Sequence, residues 1–236
     1  MVIFKLGMKK LILILLLLTS YPVLAQKTAG QKAPAIYFGL SFSPDYSNVI
    51  TDKFYPPLTN RYDSIIAPIF GYTTGANMNY QISRRLALDV GFHISHRGYQ
   101  TDLVPFLDMG HTRAHADFTY LDIHVKANYY LLNSSFSLYL TAGLIPSIFY
   151  KNSYYEELQG YSGNVQTRDL DNPEPPDKIN LMMLAGFGLD YLVSERLFIR
   201  VEPIYRRSLT KIRDDDSSDF YFWSLGANVG VYYNFK

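Results

Sequence analysis

Apolar and polar residues alternate with a period of two along most of this 236-residue chain. In the first such segment Ile36, Phe38, Leu40 and Phe42 are apolar, and tyrosine, glycine and serine residues separate them. Successive side chains of a β-strand point to opposite faces of the sheet, so this pattern predicts strands with one apolar face. The chain contains eight segments of this kind, at residues 36–43, 70–82, 86–95, 121–131, 136–144, 180–193, 197–205 and 221–235.

The apolar faces of these segments carry no charged residue. Several segments exceed the ~5–6 residues of a typical soluble strand and reach the ~9–11 residues that a tilted strand needs to cross a bilayer. Tyrosines at the segment ends are typical of the aromatic girdles found at membrane–water interfaces. We therefore predict an all-β, eight-stranded, antiparallel, closed transmembrane β-barrel of the bacterial outer membrane. The alternative is a lipocalin-like soluble barrel.

The connections between the segments alternate between short and long. The short ones are residues 83–85, 133–135 and 194–196, and the long ones are residues 44–64, 101–116, 151–178 and 207–219. Outer-membrane barrels have short periplasmic turns and long outer loops. We therefore expect both chain ends in the periplasm and the long loops to be extracellular.

Residues 1–25 have the features of a cleavable signal peptide. Three lysines precede an apolar core at residues 11–18, which is too short to span a bilayer. Small residues near the end of this segment predict cleavage between Ala25 and Gln26. The alternative is an uncleaved N-terminal anchor.

The chain then divides into the signal peptide at 1–25, a polar and flexible periplasmic lead-in at 26–34, and a barrel domain at 35–236. Of its 22 basic residues, three lie in the leader, and the chain has 21 acidic residues. This balance gives no electrostatic footprint for nucleic acid. The absence of cysteine excludes thiol catalysis, disulfides, cysteine-ligated metal and a lipoprotein anchor.

Residues 120–130 begin Tyr-Leu-Asp-Ile-His. This run resembles the Tyr-Leu-Glu-Ile-Pro strand of the PorT-like outer-membrane β-barrel proteins of Bacteroidota, with His124 where that family often has proline. Its other strands and turns are resembled by residues 136–143, by residues 185–189 with the turn at 194–197, and by residues 80–86 with residues 97–99. The resemblance implies an eight-stranded outer-membrane barrel, and the name-giving member of the family is tied to export through the type IX secretion machinery.

The interior of an eight-stranded barrel is just wide enough for side chains. Glycines and tyrosines on the polar face favour a packed interior over a pore. Charged groups inside must be paired, because an unpaired buried charge costs several kcal/mol. We predict a salt-bridged polar network in the lumen, with a proton or ion path as the alternative. Its members are Asp89, Asp122, His124, Lys126, Asp190, Arg200 and Glu202.

Residues that could carry catalysis are few. His93 and Ser95 share the predicted inner face, and His111 and His115 lie in the second long connection. The sequence contains neither Gly-x-Ser-x-Gly nor His-Glu-x-x-His. We therefore predict no catalytic residue, no metal site and no cofactor.

The longest connection carries Tyr154, Tyr155 and Tyr161. Exposed tyrosines on a long loop can form a recognition surface, or they can pack over the mouth of the barrel. The sequence leaves both interpretations open.

Together these observations predict a non-enzymatic outer-membrane β-barrel protein. As the resemblance to PorT-like proteins implies, it would be a scaffold or accessory factor in envelope assembly or protein secretion. A small-solute or ion channel is the alternative, and a lipid-modifying barrel enzyme is a third, less favoured hypothesis. The expected partners are outer-membrane lipid and lipopolysaccharide, the barrel assembly machinery and type IX secretion components.

Overall fold

A computed structural model of the chain describes residues 35–52, 65–106, 110–132, 134–170, 176–212 and 219–235. The predicted leader, the cleavage site at Ala25 and Gln26, and the lead-in at 26–34 lie outside these residues. No helix within these ranges is long and apolar enough to cross a membrane. The described residues form ten strands: β1 (Ala35–Asp52), β2 (Ile66–Gln81), β3 (Leu86–Thr101), β4 (Val104–Phe106), β5 (Gly110–Leu132), β6 (Phe136–Gly160), β7 (Val165–Asp169), β8 (Ile179–Ser194), β9 (Leu197–Ser208) and β10 (Asp219–Tyr233).

The eight long strands pair with one another in a ring. In chain order β1, β2, β3, β5, β6, β8, β9 and β10 each pair with the next strand, and β10 pairs with β1. All of these pairings are antiparallel. Every long strand therefore has a neighbour on both sides. The prediction of eight antiparallel strands is confirmed.

The outer face of the ring is apolar and the inner face is polar. On β1, for example, Leu40 is 72% exposed while the next residue, Ser41, is 6% exposed. On β3, Phe92 is exposed and His93 is buried. This arrangement inverts that of a water-soluble protein and is typical of a barrel that faces lipid. The assignment of the two faces from the alternation agrees with the structure.

Aromatic side chains flank the apolar outer face at both ends of the strands. At the end with the short turns, the rings of Phe136 and Tyr191 lie 4.7 Å apart. At the other end, Tyr46 lies 5.2 Å from the Phe70 ring and 6.3 Å from Trp223. Amphipathic rings are favoured at the level of lipid headgroups, so the two belts mark the borders of the membrane-facing surface.

The strands continue beyond the apolar pattern at the end with the long connections. Residues 44–52, 110–116 and 151–160 were expected in loops, yet they pair as strands, with Gly110 opposite Gly160. The predicted loop boundaries are wrong there, because a strand beyond the lipid keeps its backbone pairing but no longer needs apolar outward side chains. The short strands β4 and β7 flank this extension of β5 and β6.

The three tyrosines predicted in the longest loop occupy different positions. Tyr154 and Tyr155 lie on β6 rather than in a loop, so that part of the prediction is corrected. The Tyr154 ring packs against Phe118 at 5.7 Å, and the Tyr155 ring stacks on His115 at 4.5 Å. Tyr161 lies in the turn between β6 and β7 and is 75% exposed.

An apolar cluster fills the ring at the end with the long connections. Phe222 lies at its centre, with ring contacts to Phe118 at 5.3 Å and Tyr120 at 6.0 Å. A smaller cluster of Ala87, Tyr130 and Tyr139 lies near the opposite end. Apolar side chains therefore bracket the polar interior. The larger cluster consists of Val49, Ala116, Phe118, Tyr120, Ile145, Met182, Leu184, Ile204, Ile212 and Phe222.

A charge on the outer face tests the orientation of the strands. Val229 on β10 is exposed between Phe42 and Val201 of the neighbouring strands. We expect Val229→Lys to lower the free energy of unfolding by about 2–4 kcal/mol, because it places a cation in hydrocarbon. Urea unfolding in phospholipid vesicles measures this change. Val165→Lys on β7, which lies outside the ring, is the control and should change stability by less than about 0.5 kcal/mol. Equal effects would contradict the assignment of faces.

Candidate functional site

Arg200 on β9 is the centre of a buried ion-pair cluster. Its Nε and Nη2 donate to Asp190 Oδ1 and Oδ2 at 2.7 and 2.8 Å, and its Nη1 donates to Asp89 Oδ2 at 2.6 Å. The Tyr130 hydroxyl donates to Asp190 Oδ2 at 2.8 Å, and Asn79 Nδ2 donates to Asp89 Oδ2 at 3.1 Å. Arg200 and Asp190 are direct cross-strand partners. Such bidentate, charge-assisted hydrogen bonds hold the guanidinium in one orientation.

Aromatic rings surround the same guanidinium. The Arg200 Cζ atom lies 4.7 Å from the Tyr232 ring, 4.8 Å from Tyr139 and 5.3 Å from Phe198. Phe198 and Tyr232 themselves stack at 4.7 Å. The negative faces of these rings stabilise a cation that is removed from water.

Lys126 and Glu202 form a second buried ion pair, through Lys126 Nζ and Glu202 Oε2. The Tyr139 hydroxyl donates to Glu202 Oε1 at 2.9 Å, and Asn228 Nδ2 donates to Oε2 at 3.2 Å. Because Tyr139 also contacts Arg200, this pair and the Arg200 cluster form one continuous network.

Asp45 accepts three side-chain hydrogen bonds nearer the end with the long connections. Arg206 Nη1 and Ser43 Oγ donate to Asp45 Oδ1 at 2.8 and 2.6 Å, and Thr73 Oγ1 donates to Oδ2 at 2.5 Å. The sequence prediction missed this pair because residues 44–64 were assigned to a loop.

Arg97 joins the polar interior to the apolar cluster. Its Nη2 donates to Asp122 Oδ1 at 3.1 Å, its Cζ lies 4.1 Å from the Tyr120 ring, and the guanidinium contacts Met182 Sδ. The prediction stopped β3 at residue 95 and so missed Arg97. The alternation does indicate that Arg97 faces inward, because residues 89, 91, 93, 95 and 97 form one series on the inner face of β3.

The predicted network residues all lie inside the ring. The seven side chains proposed from the sequence are each 7% exposed or less. Six of them make the ion pairs described above. His124 contacts the network differently: its Nε2 lies 4.0 Å from Asp122 Oδ2, and its ring stacks on His93 at 4.0 Å.

The geometry around His93 bears on catalysis. Its Nε2 lies 3.4 Å from Ser41 Oγ, whereas Nδ1 has no hydrogen-bond partner among the described residues. A nucleophile and base pair is normally oriented by a third group on the other ring nitrogen. Ser41 and His93 thus form an incomplete version of that arrangement. Among the described residues, around His93 or elsewhere, no three His, Asp or Glu side chains are placed to hold a metal ion.

The other histidines considered from the sequence are His111 and His115, which lie on β5 beyond the alternating segment. His115 Nε2 lies 3.4 Å from Glu157 Oε2, and the His111 ring lies 6.4 Å from Tyr161. Nearby, burial raises the pKa of the Asp117 carboxyl above its usual value, and His115 opposes that shift. This surface is separate from the interior network.

The solved structures to which this chain is similar include those of three outer-membrane proteins. Neisserial surface protein A is 16% identical over 85% of this chain and 99% of its own, with a TM-score of 0.41. OprG from Pseudomonas aeruginosa is 13% identical over 87% and 97%, with a TM-score of 0.47. The OmpT protease from Escherichia coli is 9% identical over 89% and 100%, with a TM-score of 0.48. No curated protein sequence matches the chain.

A ring of antiparallel strands that is apolar outside and ion-paired inside defines an integral barrel protein of the outer membrane. Residues 24–236 match the sequence profile of the family described as outer membrane protein beta-barrel domain. The chain belongs to this family of bacterial outer-membrane proteins.

Removing the central guanidinium tests the Arg200 cluster. We expect Arg200→Met to lower the free energy of unfolding by about 3–5 kcal/mol, because it leaves the buried Asp190 carboxylate without its cation and Asp89 without its Arg200 hydrogen bond. Urea unfolding measures the change. Arg207→Met, further along β9 on its outer face, is the matched control and should cost less than about 1 kcal/mol. Similar losses in the two variants would mean that the cluster does not stabilise the fold.

A close approach at Gly226 provides a second test. A Cβ atom there would lie 2.0 Å from Asp45 Oδ1 and 2.5 Å from Ser43 Oγ, whereas at Gly160 it would meet nothing closer than 3.7 Å. We expect Gly226→Ala to destabilise the fold by about 1–3 kcal/mol through overpacking. Gly160→Ala should leave the same unfolding midpoint almost unchanged. A neutral Gly226→Ala would contradict the packing around Asp45.

Proposed function

We propose that the protein is a non-enzymatic outer-membrane scaffold or accessory factor in envelope assembly or protein secretion. The observation that carries this proposal is the filled interior. Within the described residues, ion pairs occupy the middle of the ring and apolar clusters occupy both ends. A barrel built in this way acts through its outer surfaces rather than through its lumen.

The secretion role rests on the resemblance of residues 120–130 and the later strands to PorT-like proteins. On this proposal the partners are outer-membrane lipid and lipopolysaccharide, the barrel assembly machinery and type IX secretion components. The chain ends would lie in the periplasm. In support, Ala35 at the start of β1 and Tyr233 at the end of β10 lie at the same end of the ring as the short turns.

The surface that we propose for partner recognition is the outer extension, defined as β4, residues 110–116, residues 151–160 and β7. Every side chain of β7 is exposed, and so is Tyr161 in the turn before it. Exposed aromatic side chains on a rigid extension are suited to protein recognition. This surface lies beyond the membrane-facing belt and is accessible to a soluble partner.

Purification of the tagged protein from native outer membranes in mild detergent tests the role. We expect envelope or secretion proteins to co-purify in stoichiometric amounts, and Tyr161→Ser to reduce their yield. Arg85→Ser, in a short turn at the opposite end, is the control and should leave the yield unchanged. Recovery of the barrel alone would count against a scaffold.

Two further measurements separate the alternatives. Open-channel steps from the refolded protein in planar bilayers would favour the solute channel over the scaffold. Lipid turnover that disappears in His93→Ala would favour the lipid-modifying enzyme, because His93 Nε2 lies 3.4 Å from the Ser41 hydroxyl in the interior.

A further inference from the structure

Among the residues that the structure describes, the charged side chains inside the ring do not balance. Among the described residues, the interior buries five carboxylates and four basic side chains, which leaves one negative charge in excess. Asp219 is also buried, but it lies at the rim and pairs with Lys211 at 2.6 Å. An uncompensated charge in a low-dielectric interior is so costly that the group binds a counter-charge or becomes neutral.

The excess charge can be located by pairing the groups. Three of the four basic side chains face one carboxylate each, in the pairs Arg206–Asp45, Arg97–Asp122 and Lys126–Glu202. The fourth, Arg200, is shared between Asp89 and Asp190. The unbalanced carboxylate is therefore one of these two.

The hydrogen bonds distinguish Asp89 from Asp190. Both oxygens of Asp190 accept from Arg200, and Oδ2 also accepts from Tyr130. Asp89 accepts only at Oδ2, from Arg200 and Asn79. Its Oδ1 has no hydrogen-bond partner among the described residues, although Asp89 is 0% exposed. The ring of Tyr232 packs against the Arg200 guanidinium, and its hydroxyl is also buried without a hydrogen-bond partner among the described residues.

We propose that Asp89 binds one monovalent positive charge at Oδ1, as a proton or as an alkali-metal ion, and that this charge neutralises the interior. This site goes beyond the scaffold role and does not depend on it. The proton suits the packing better, because an alkali ion needs several oxygen ligands and a proton needs only Oδ1. A protonated Asp89 still accepts the Arg200 and Asn79 hydrogen bonds at Oδ2.

The polar and charged groups around Asp89 come from five strands. Lys126 on β5 is its cross-strand neighbour but directs Nζ to Glu202, so it does not supply the missing charge. The remaining neighbours are Asn79 on β2, Tyr130 on β5, Asp190 on β8, Arg200 and Glu202 on β9, and Tyr232 on β10.

An imidazolium at His124 is the competing location for the charge. Asp122, which lies 4.0 Å from His124 Nε2, already has Arg97 as its cation. His124 also stacks on His93, with Lys126 and Arg206 close by. A further positive charge there would add repulsion, whereas at Asp89 it removes an imbalance.

The first experiment compares unfolding of the refolded protein in phosphatidylcholine vesicles across neutral pH. The quantity compared is the folding constant of the natural protein divided by that of Asp89→Asn. If folding takes up one proton at Asp89, this ratio falls up to tenfold for each unit by which the pH is raised. Asparagine is isosteric with aspartate and neutral. The Asp89→Asn variant should therefore keep, across the whole pH range, the stability that the natural protein has at the acidic end. Asp45→Asn is the matched control: it should destabilise by leaving Arg206 unpaired, while keeping the pH dependence.

The second experiment identifies the bound charge. For a proton, infrared spectra at neutral pH show the carbonyl stretch of a protonated carboxyl group, which is lost in Asp89→Asn and kept in Asp45→Asn. For an alkali ion, that band is absent, and sodium chloride raises the unfolding midpoint above that in N-methylglucamine chloride unless Asp89 is replaced.

Natural protein that shows neither the carboxyl band nor a sodium effect would overturn the proposal. This readout needs no variant, so it holds even if Asp89→Asn fails to fold. A pH dependence that follows His124→Asn instead of Asp89→Asn would also overturn it, because the charge would then lie on the imidazole.

Discussion

The structure depends on the requirement that backbone N–H and C=O groups find partners where no water is present. In hydrocarbon each unpaired group costs several kcal/mol, so strands can cross a bilayer only as a ring without edges. The pairing of β10 with β1 meets this requirement here. The pleat then points alternate side chains outward and inward, and the apolar exterior and polar interior both follow from that geometry.

The ring creates an interior that is shielded from lipid and too narrow for bulk water. Charged groups are stable there only when they pair with one another. Arg200, Lys126 and Arg206 pair with carboxylates on strands that are not their neighbours in the ring, and these contacts connect different parts of its wall. Arg97 pairs with Asp122 on the neighbouring strand. The same low dielectric makes a single surplus carboxylate significant, because it cannot be left to solvent.

The end with the long connections is organised differently from the membrane-facing part. There the strands continue above the apolar belt, and an apolar cluster that includes Phe222 and Tyr120 lies inside the ring. The extension of β5 and β6 with β7 presents Tyr161 and polar side chains to the outside.

The sequence alone determined the number of ring strands, their faces and the burial of Asp89, Lys126 and Arg200, because a strand in lipid must alternate strictly and period two can be read residue by residue. Only the tertiary structure decided how far the strands extend past the alternating segments, and Asp45 lies in one of these extensions. It also decided which charges meet. Asp45 and Arg206 are separated by 161 positions, and their pairing follows from the stagger of the ring and not from any local pattern.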